Sequence, residues 1–340
     1  MSDRNLQQLM QQASLEQADA WGQQGGSVGD HTRDEVLKPE IVREIIYAQS
    51  GTLSVGTEII PTRQMSQKEI RYDYPGSTTA EYPVAPDTLA DRQRFSWKSF
   101  GMELQRGQTR YFISDDAKLS GMADTQAQRA ATEASRALAR RKDENILGTL
   151  VNGAYSENDF GNASEAWNLG TDSSVNTMID DLWKMWEGIL VNSPTDTMDV
   201  LNMSVVLPDE VYTQLRRTKV INNIQQRVDN YLDQAFNFNF YPVNIGRHSD
   251  SQMQDQYGVN MLDTCLMVLE GEDTAIHGEL SPSAASSAGV PLTEGPNREF
   301  GMGEDYLITQ WFNTGIMEHE TASEGETPRV AVTTGVNTNA

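Results

Sequence analysis

Two extended runs between residues 57 and 113 constrain this chain more than any other feature. In KEIRYDY, Ile70, Tyr72 and Tyr74 fall on one parity and Glu69, Arg71 and Asp73 on the other, the alternation of a half-buried strand. The second run is RQRFSWKSFGMELQRG. Phe95 and Trp97 share one parity there, while Phe100, Met102 and Leu104 share the other, and the phase change beside Gly101 predicts a bulge or bend. Pro75-Gly76, Pro83 and Pro86 punctuate the residues between the runs. Together they read as a long hairpin with a proline-rich tip. A two-stranded hairpin is marginal in water by itself. This one, with Tyr72, Tyr74, Phe95 and Trp97 to cover, needs a surface to lie on.

The clearest helix follows, within residues 114–152. Asp124 or Thr125 can cap it, and Ala127, Ala130, Ala131, Ala134, Ala137, Leu138, Ile146, Leu147 and Leu150 recur at helical spacing. Asp115, Asp116 and Asp124 near its start and Arg136, Arg140, Arg141 and Lys142 late in it complement the helix dipole. Those four basic residues read as a solvated or salt-bridged face. Upstream, residues 1–30 are rich in Gln and Gly and cannot offset the entropy of ordering alone, so they read as an arm that orders against something else. A helical turn is expected over Glu40–Ala48, after Pro39, with Ile41, Ile45 and Ile46 as its apolar stripe.

Downstream, residues 174–190 form an amphipathic helix carrying Met178, Leu182, Met185, Trp186 and Leu190. MSVVLP (203–208) reads as a buried strand running into a helix capped by Asp209, and a further helix is expected over Ile221–Phe236. FNFNFYPV and VNMLDTCLMVL are strand-like, and SPSAASSAG (281–289) is low in complexity and reads as a mobile loop. YLITQWF, GIMEHE and RVAVTT are expected to close the chain as a β meander turning at Asn313-Thr314-Gly315.

Composition narrows the function. In 340 residues there are 26 Lys+Arg against 49 Asp+Glu, a net charge of −23, which argues against a protein that neutralises phosphates on a nucleic acid. Seven lysines against 19 arginines in so acidic a chain is the pattern of a high-salt cytoplasm, where the Debye length shrinks to about 3 Å at 1 M and like charges cease to repel across an interface. With 38% hydrophobic residues the chain can build a core. The lone Cys265 excludes an intramolecular disulfide framework and, sitting in DTCLMVL, reads as a buried small hydrophobe. No run approaches the roughly 18 apolar residues of a membrane span, and the first residues lack a signal-peptide apolar region, so folding in a cytoplasm is expected.

Chemistry is hard to find. There is no Gly-Lys dipeptide for a phosphate-binding loop, no dinucleotide fingerprint, no HExxH and no GxSxG. Of the histidines, His248 with Asp250 and the trio Glu318-His319-Glu320 are the metal candidates. A strand would point His319 away from its neighbours, so neither is expected to bind. No catalytic residue, cofactor or metal is expected.

Three segments carry a resemblance: YFISDDAKLSGMADTQAQRAATEASRALARRKDENILGTL, MSVVLPDEVYTQLRR and EDYLITQWFNTGIMEHETASEGETPRVAVTTG. Their order behind the hairpin resembles the major capsid protein of tailed double-stranded DNA viruses, the Hong Kong 97 phage type, over most of residues 40–336. The resemblance implies an α+β fold with an N-terminal arm (1–56), an extended hairpin loop (57–113), a peripheral domain with a spine helix (114–170 and 298–340) and an axial domain (171–297). It implies a non-enzymatic shell protein that assembles with itself as hexamers and pentamers. The shell would form in a host cytoplasm, enclose double-stranded DNA without reading its sequence, need no membrane, and engage scaffold, portal or decoration proteins. Tyr72, Tyr74, Arg92, Arg94, Phe95 and Trp97 on the hairpin are the implied subunit contacts. Joined to the acidic composition, the resemblance points to a virus of halophilic archaea. Lys68, Lys98, Asn313 and Asn337 are residue types too common to predict the Lys–Asn crosslink some members form. An encapsulin-like compartment around cargo enzymes is the alternative, and a cytoplasmic enzyme the third reading.

Overall fold

The computed structural model describes residues 43, 46, 47, 49–51, 53–75, 97–116, 120, 123–193, 203–221, 224–243, 258–271, 274–297, 303–317 and 325–337. Two strands in it, β6 (Met203–Pro208) and β10 (Thr264–Leu269), are buried at every position. Continuous apolar runs of this kind arise when both faces of a sheet are covered. These two, with β5 (Asp159–Asn162), β9 (Phe238–Val243) and β14 (Val330–Thr334), form a mixed sheet of order β5-β14-β10-β6-β9. The twofold alternation of strand side chains then divides the core. Met203, Val205, Leu207, Cys265, Met267 and Leu269 enter one hydrophobic cluster, with Met178, Leu182 and Met185 of helix α3 (Asp172–Asn192). Val206, Leu266, Val268, Val330 and Val332 enter another, with Ile146, Leu147 and Leu150 of α2 (Ala123–Asn152) and Ile59 of the short α1 (Gly56–Ile59).

A second five-stranded sheet is organised by β13 (Gly303–Ile316). Its first ten residues pair antiparallel with β4 (Gln105–Ser114), and Phe312–Ile316 pair with β11 (Ala275–Leu280). β12 (Thr293–Asn297) also pairs with β13, and β1 (Thr62–Met65) runs parallel to β11. A third cluster joins this sheet to the first half of α2, where Ala131, Ala134 and Leu138 meet Tyr111, Ile113, Tyr306, Ile308 and Phe312. Small alanines let the helix approach; the rings of Tyr111 and Tyr306 stack beneath it at 4.8 Å. The 30 residues of α2 make a rod of about 45 Å at 1.5 Å per residue. It therefore lies against both sheets.

Several local expectations need correction. α2 starts at Ala123, so Asp124 and Thr125 lie inside its first turn instead of capping it. Asp209 is the first residue of α4 (Asp209–Leu215), with Pro208 at the cap position. Of the helix expected over Ile221–Phe236, α5 covers only Val228–Phe236, and the described residues before it are strand: β7 (Thr218–Ile221) pairs antiparallel with β8 (Ile224–Arg227), in line with the strand preference of Val220, Ile221 and Ile224. The serine–alanine segment is a helix, α6 (Pro282–Ser287), because Ser281 caps it by accepting from the Ala284 N–H and Pro282 suits the first position. Among the described residues no meander closes the chain. Asn313-Thr314-Gly315 lies inside β13, and β14 belongs to the other sheet, where β10 and β5 flank it. The expected turn at residues 40–48 is seen only at residues 43, 46 and 47, all helical, with Ile46 buried. The arm over 1–30 lies outside the described residues.

Candidate assembly surface

β2 (Glu69–Pro75) and β3 (Trp97–Glu103) pair antiparallel from Glu69↔Glu103 to Pro75↔Trp97, so the hairpin read from the sequence is present. Its ladder is unshifted through Arg71↔Gly101, which removes the bulge expected at Gly101. The parity change is resolved by the strand itself: Tyr72 and Tyr74 occupy register positions on one face with Phe100, and Trp97 a position on the other. Arg92, Arg94 and Phe95 lie outside the described residues. Among the described strands, β2 and β3 pair with no third strand.

The root of this hairpin is anchored firmly. At Leu104, whose N–H donates to the Lys68 carbonyl at 2.8 Å, the chain leaves the hairpin and enters β4 of the main sheet. Met102 and Leu104 are buried. They fill a socket over Gly278 of β11, where an added Cβ would stand 2.7 Å from Met102 Cε. Phe100 occupies the matching space over Gly315 of β13, and its ring would collide with a side chain there. Lys68 pairs with Glu103 at 2.6 Å and its ammonium lies 5.4 Å from the Trp311 ring centre. Asn313 donates to the Glu103 carbonyl at 2.8 Å. The glycine sockets and the Asn313 tie were invisible in the sequence, since their partners lie far apart along the chain.

Beneath the root is a buried polar cluster, and it includes Lys142, one of the four basic residues expected on a solvated or salt-bridged face. Lys142 is 1% exposed and its ammonium meets Glu279 Oε1 at 2.7 Å. Gln310 and Gln64 also donate to Glu279 Oε2, at 2.9 and 3.4 Å. Burial pushes the Glu279 carboxyl up, and the Lys142 ammonium beside it opposes this and holds the carboxyl below the usual carboxylate range. The neighbouring Arg141 and Arg136 pair with Glu144 and Glu133, as expected of a salt-bridged face.

A third feature is the outer face of α3. Trp183 is 46% exposed and Val191 75%, with the half-buried Trp186 ring 5.5 Å from Trp183. Phe160, itself partly exposed, lies over Gly188 of the same helix. Cys265 is buried 4.0 Å from the Met185 sulfur, and burial raises its thiol pKa. His248, Asp250 and Glu318-His319-Glu320 lie outside the described residues. Among the described residues no group of three metal-ligating side chains converges, and no helix is long and apolar enough to cross a membrane.

No protein-family model matches the sequence, and no curated protein matches it. Solved structures do. A virus-like particle from Pyrococcus furiosus matches with a TM-score of 0.55 at 9% identity, covering 86% of this chain and 98% of that one. The capsid of Myoviridae phage XM1 matches at 0.52 and 14% identity over 83% and 92%, and the mature capsid of bacteriophage PhiM1 at 0.51 and 11% over 82% and 85%. The class is therefore defined by architecture: an α+β protein with the Hong Kong 97-type capsid fold.

Proposed function

We propose that this chain is a structural shell subunit, the major capsid protein of a tailed virus, assembling with itself into an icosahedral shell around double-stranded DNA. The observation that carries the reading is the β2–β3 ribbon, anchored at its root and paired with no third strand among the described residues. Such a ribbon is stable only against further surface, and the shared fold comes from proteins that build particles. In this reading the arm (1–56), the hairpin (57–113), the peripheral parts (114–170 and 298–340) and the axial part (171–297) are the assembly units. Tyr72, Tyr74, Arg92, Arg94, Phe95 and Trp97 touch the neighbouring subunit, in hexamers and pentamers whose interfaces bury more than about 2,000 Å². The net charge of −23 favours a high-salt setting, as in a halophilic host, and a lining that does not grip the genome.

The test is to express the chain alone in molar salt and image it by electron microscopy. Closed shells are expected; a monomeric species at every salt concentration overturns the reading. Particles purified from infected or producing cells should contain double-stranded DNA, whereas a folded enzyme inside them would establish a cargo compartment instead.

A further inference from the structure

His277 of β11 is fully buried, and it ends a chain of hydrogen bonds whose direction follows from the donors alone. Asn313 Nδ2 donates to the Glu103 carbonyl at the hairpin root, so Asn313 Oδ1 is an acceptor; it receives Asn145 Nδ2 of α2 at 3.0 Å and the Thr314 N–H at 2.9 Å. Asn145 Oδ1 in turn accepts the Thr314 hydroxyl proton at 2.8 Å. With its one proton committed, Thr314 Oγ1 accepts from His277 Nδ1, 3.0 Å away. The neutral ring thus carries its proton on Nδ1, and Nε2 presents a lone pair. Nε2 has no hydrogen-bond partner, and Glu279 Oε1 stands 3.6 Å from it.

We propose that this junction is an acid-sensitive latch: neutral His277 keeps the hairpin root, β13, β11 and α2 in one wired unit, and a second proton on Nε2 loosens it. The charged groups around the ring are Glu279 on its own strand and Lys142 and Asp143 on α2. From the helical residues near the start of the described chain, Tyr47 stands close enough to feel Glu279. β13 places the neutral Gln310, Phe312 and Thr314 nearby, and β1 sets the neutral Thr62 opposite His277 and Gln64 opposite Glu279. Both carboxylates are already engaged: Glu279 with Lys142 and two glutamines, Asp143 with the Ser54 hydroxyl at 2.6 Å and the Gly56 N–H at 2.8 Å. A proton on Nε2 therefore adds a charge to a dry site in which the carboxylates already hold other hydrogen-bond partners. Burial holds the His277 pKa below its ordinary value, with Lys142 acting the same way against Glu279 and Asp143.

The sign follows from linkage. The opened state titrates near pH 6.5, the buried ring lower, so the opened state binds more protons between those values. Stability at the junction is complete above about pH 6.5 and falls as pH drops toward the folded-state pKa. From pH 7.5 to 5.5 the opening equilibrium should rise, by at most about tenfold. Hydrogen exchange of the full chain, corrected for intrinsic rates, should show this rise in segments 140–147 and 310–316. It should disappear in His277→Gln, which keeps a donor for Thr314. Exchange that slows or stays constant in acid, or that rises equally in His277→Gln, overturns the latch. Should that variant fail to fold, imidazole nitrogen NMR of the native chain decides. A neutral Nδ1–H ring at pH 6 is expected for His277, assigned by removing His31, His248 and His319 in turn; an Nε2–H tautomer or an imidazolium overturns it.

Discussion

Lys142 shows how a single side chain can be misplaced by its neighbours in the sequence. It ends a run of basic residues, Arg140-Arg141-Lys142, that reads as a solvated or salt-bridged face, and its partner Glu279 lies in a different element far along the chain. Nothing in local periodicity marks such a pair; only the helical position of Lys142 near Ile146 places it inward. Because both charges are out of water, removing one strands the other. Lys142→Met should cost about 3–5 kcal/mol in denaturant unfolding, while the double replacement Lys142→Met with Glu279→Gln should recover most of that loss. Cys265 makes a simpler case. It was legible as buried from its apolar flanks, and the native protein should leave a water-soluble thiol reagent unreacted through pH 8, with labelling appearing only on unfolding.

At the scale of elements, the hairpin is a lever seated in two glycine sockets. Gly315→Val should displace the Phe100 ring and Gly278→Val the Met102 side chain. Each should lower stability by about 1–3 kcal/mol, as overpacking does, and speed exchange of the β3 amides before those of β6 or β10. Deleting residues 76–96 should leave the body folded by circular dichroism yet abolish shells; normal shells would count against the assembly role of the tip. The hairpin and α2 were legible because alternation and helical spacing persist over many residues. The β7–β8 hairpin and α6 were not. The β7–β8 run is short and polar enough to fit either period, and α6 depends on one capping hydroxyl, Ser281. β14 followed its local pattern but not its expected partner: pairing with β10 instead of β13 is a tertiary choice, made where Val330 and Val332 complete the core beside α2.

For the whole molecule, charge sets the conditions under which the proposed association can occur. A chain of −23 brings like charges together at every new interface, and salt removes that penalty. Light scattering should fall as shells are moved from molar salt to tens of millimolar; constant scattering over that range would remove the electrostatic reading. The three hydrophobic clusters also divide the labour. One gathers α3, α4 and α5 on one face of the mixed sheet, and the other two share α2.

That sharing has a mechanical consequence. A rod glued along one half to each of two sheets cannot let them slide past each other without bending or peeling away. Load applied to one sheet is delivered to the other, and the body acts as a stiff tile. In the proposed shell, the ribbon that leaves this tile at Lys68 and Leu104 would be the joint between one tile and the next.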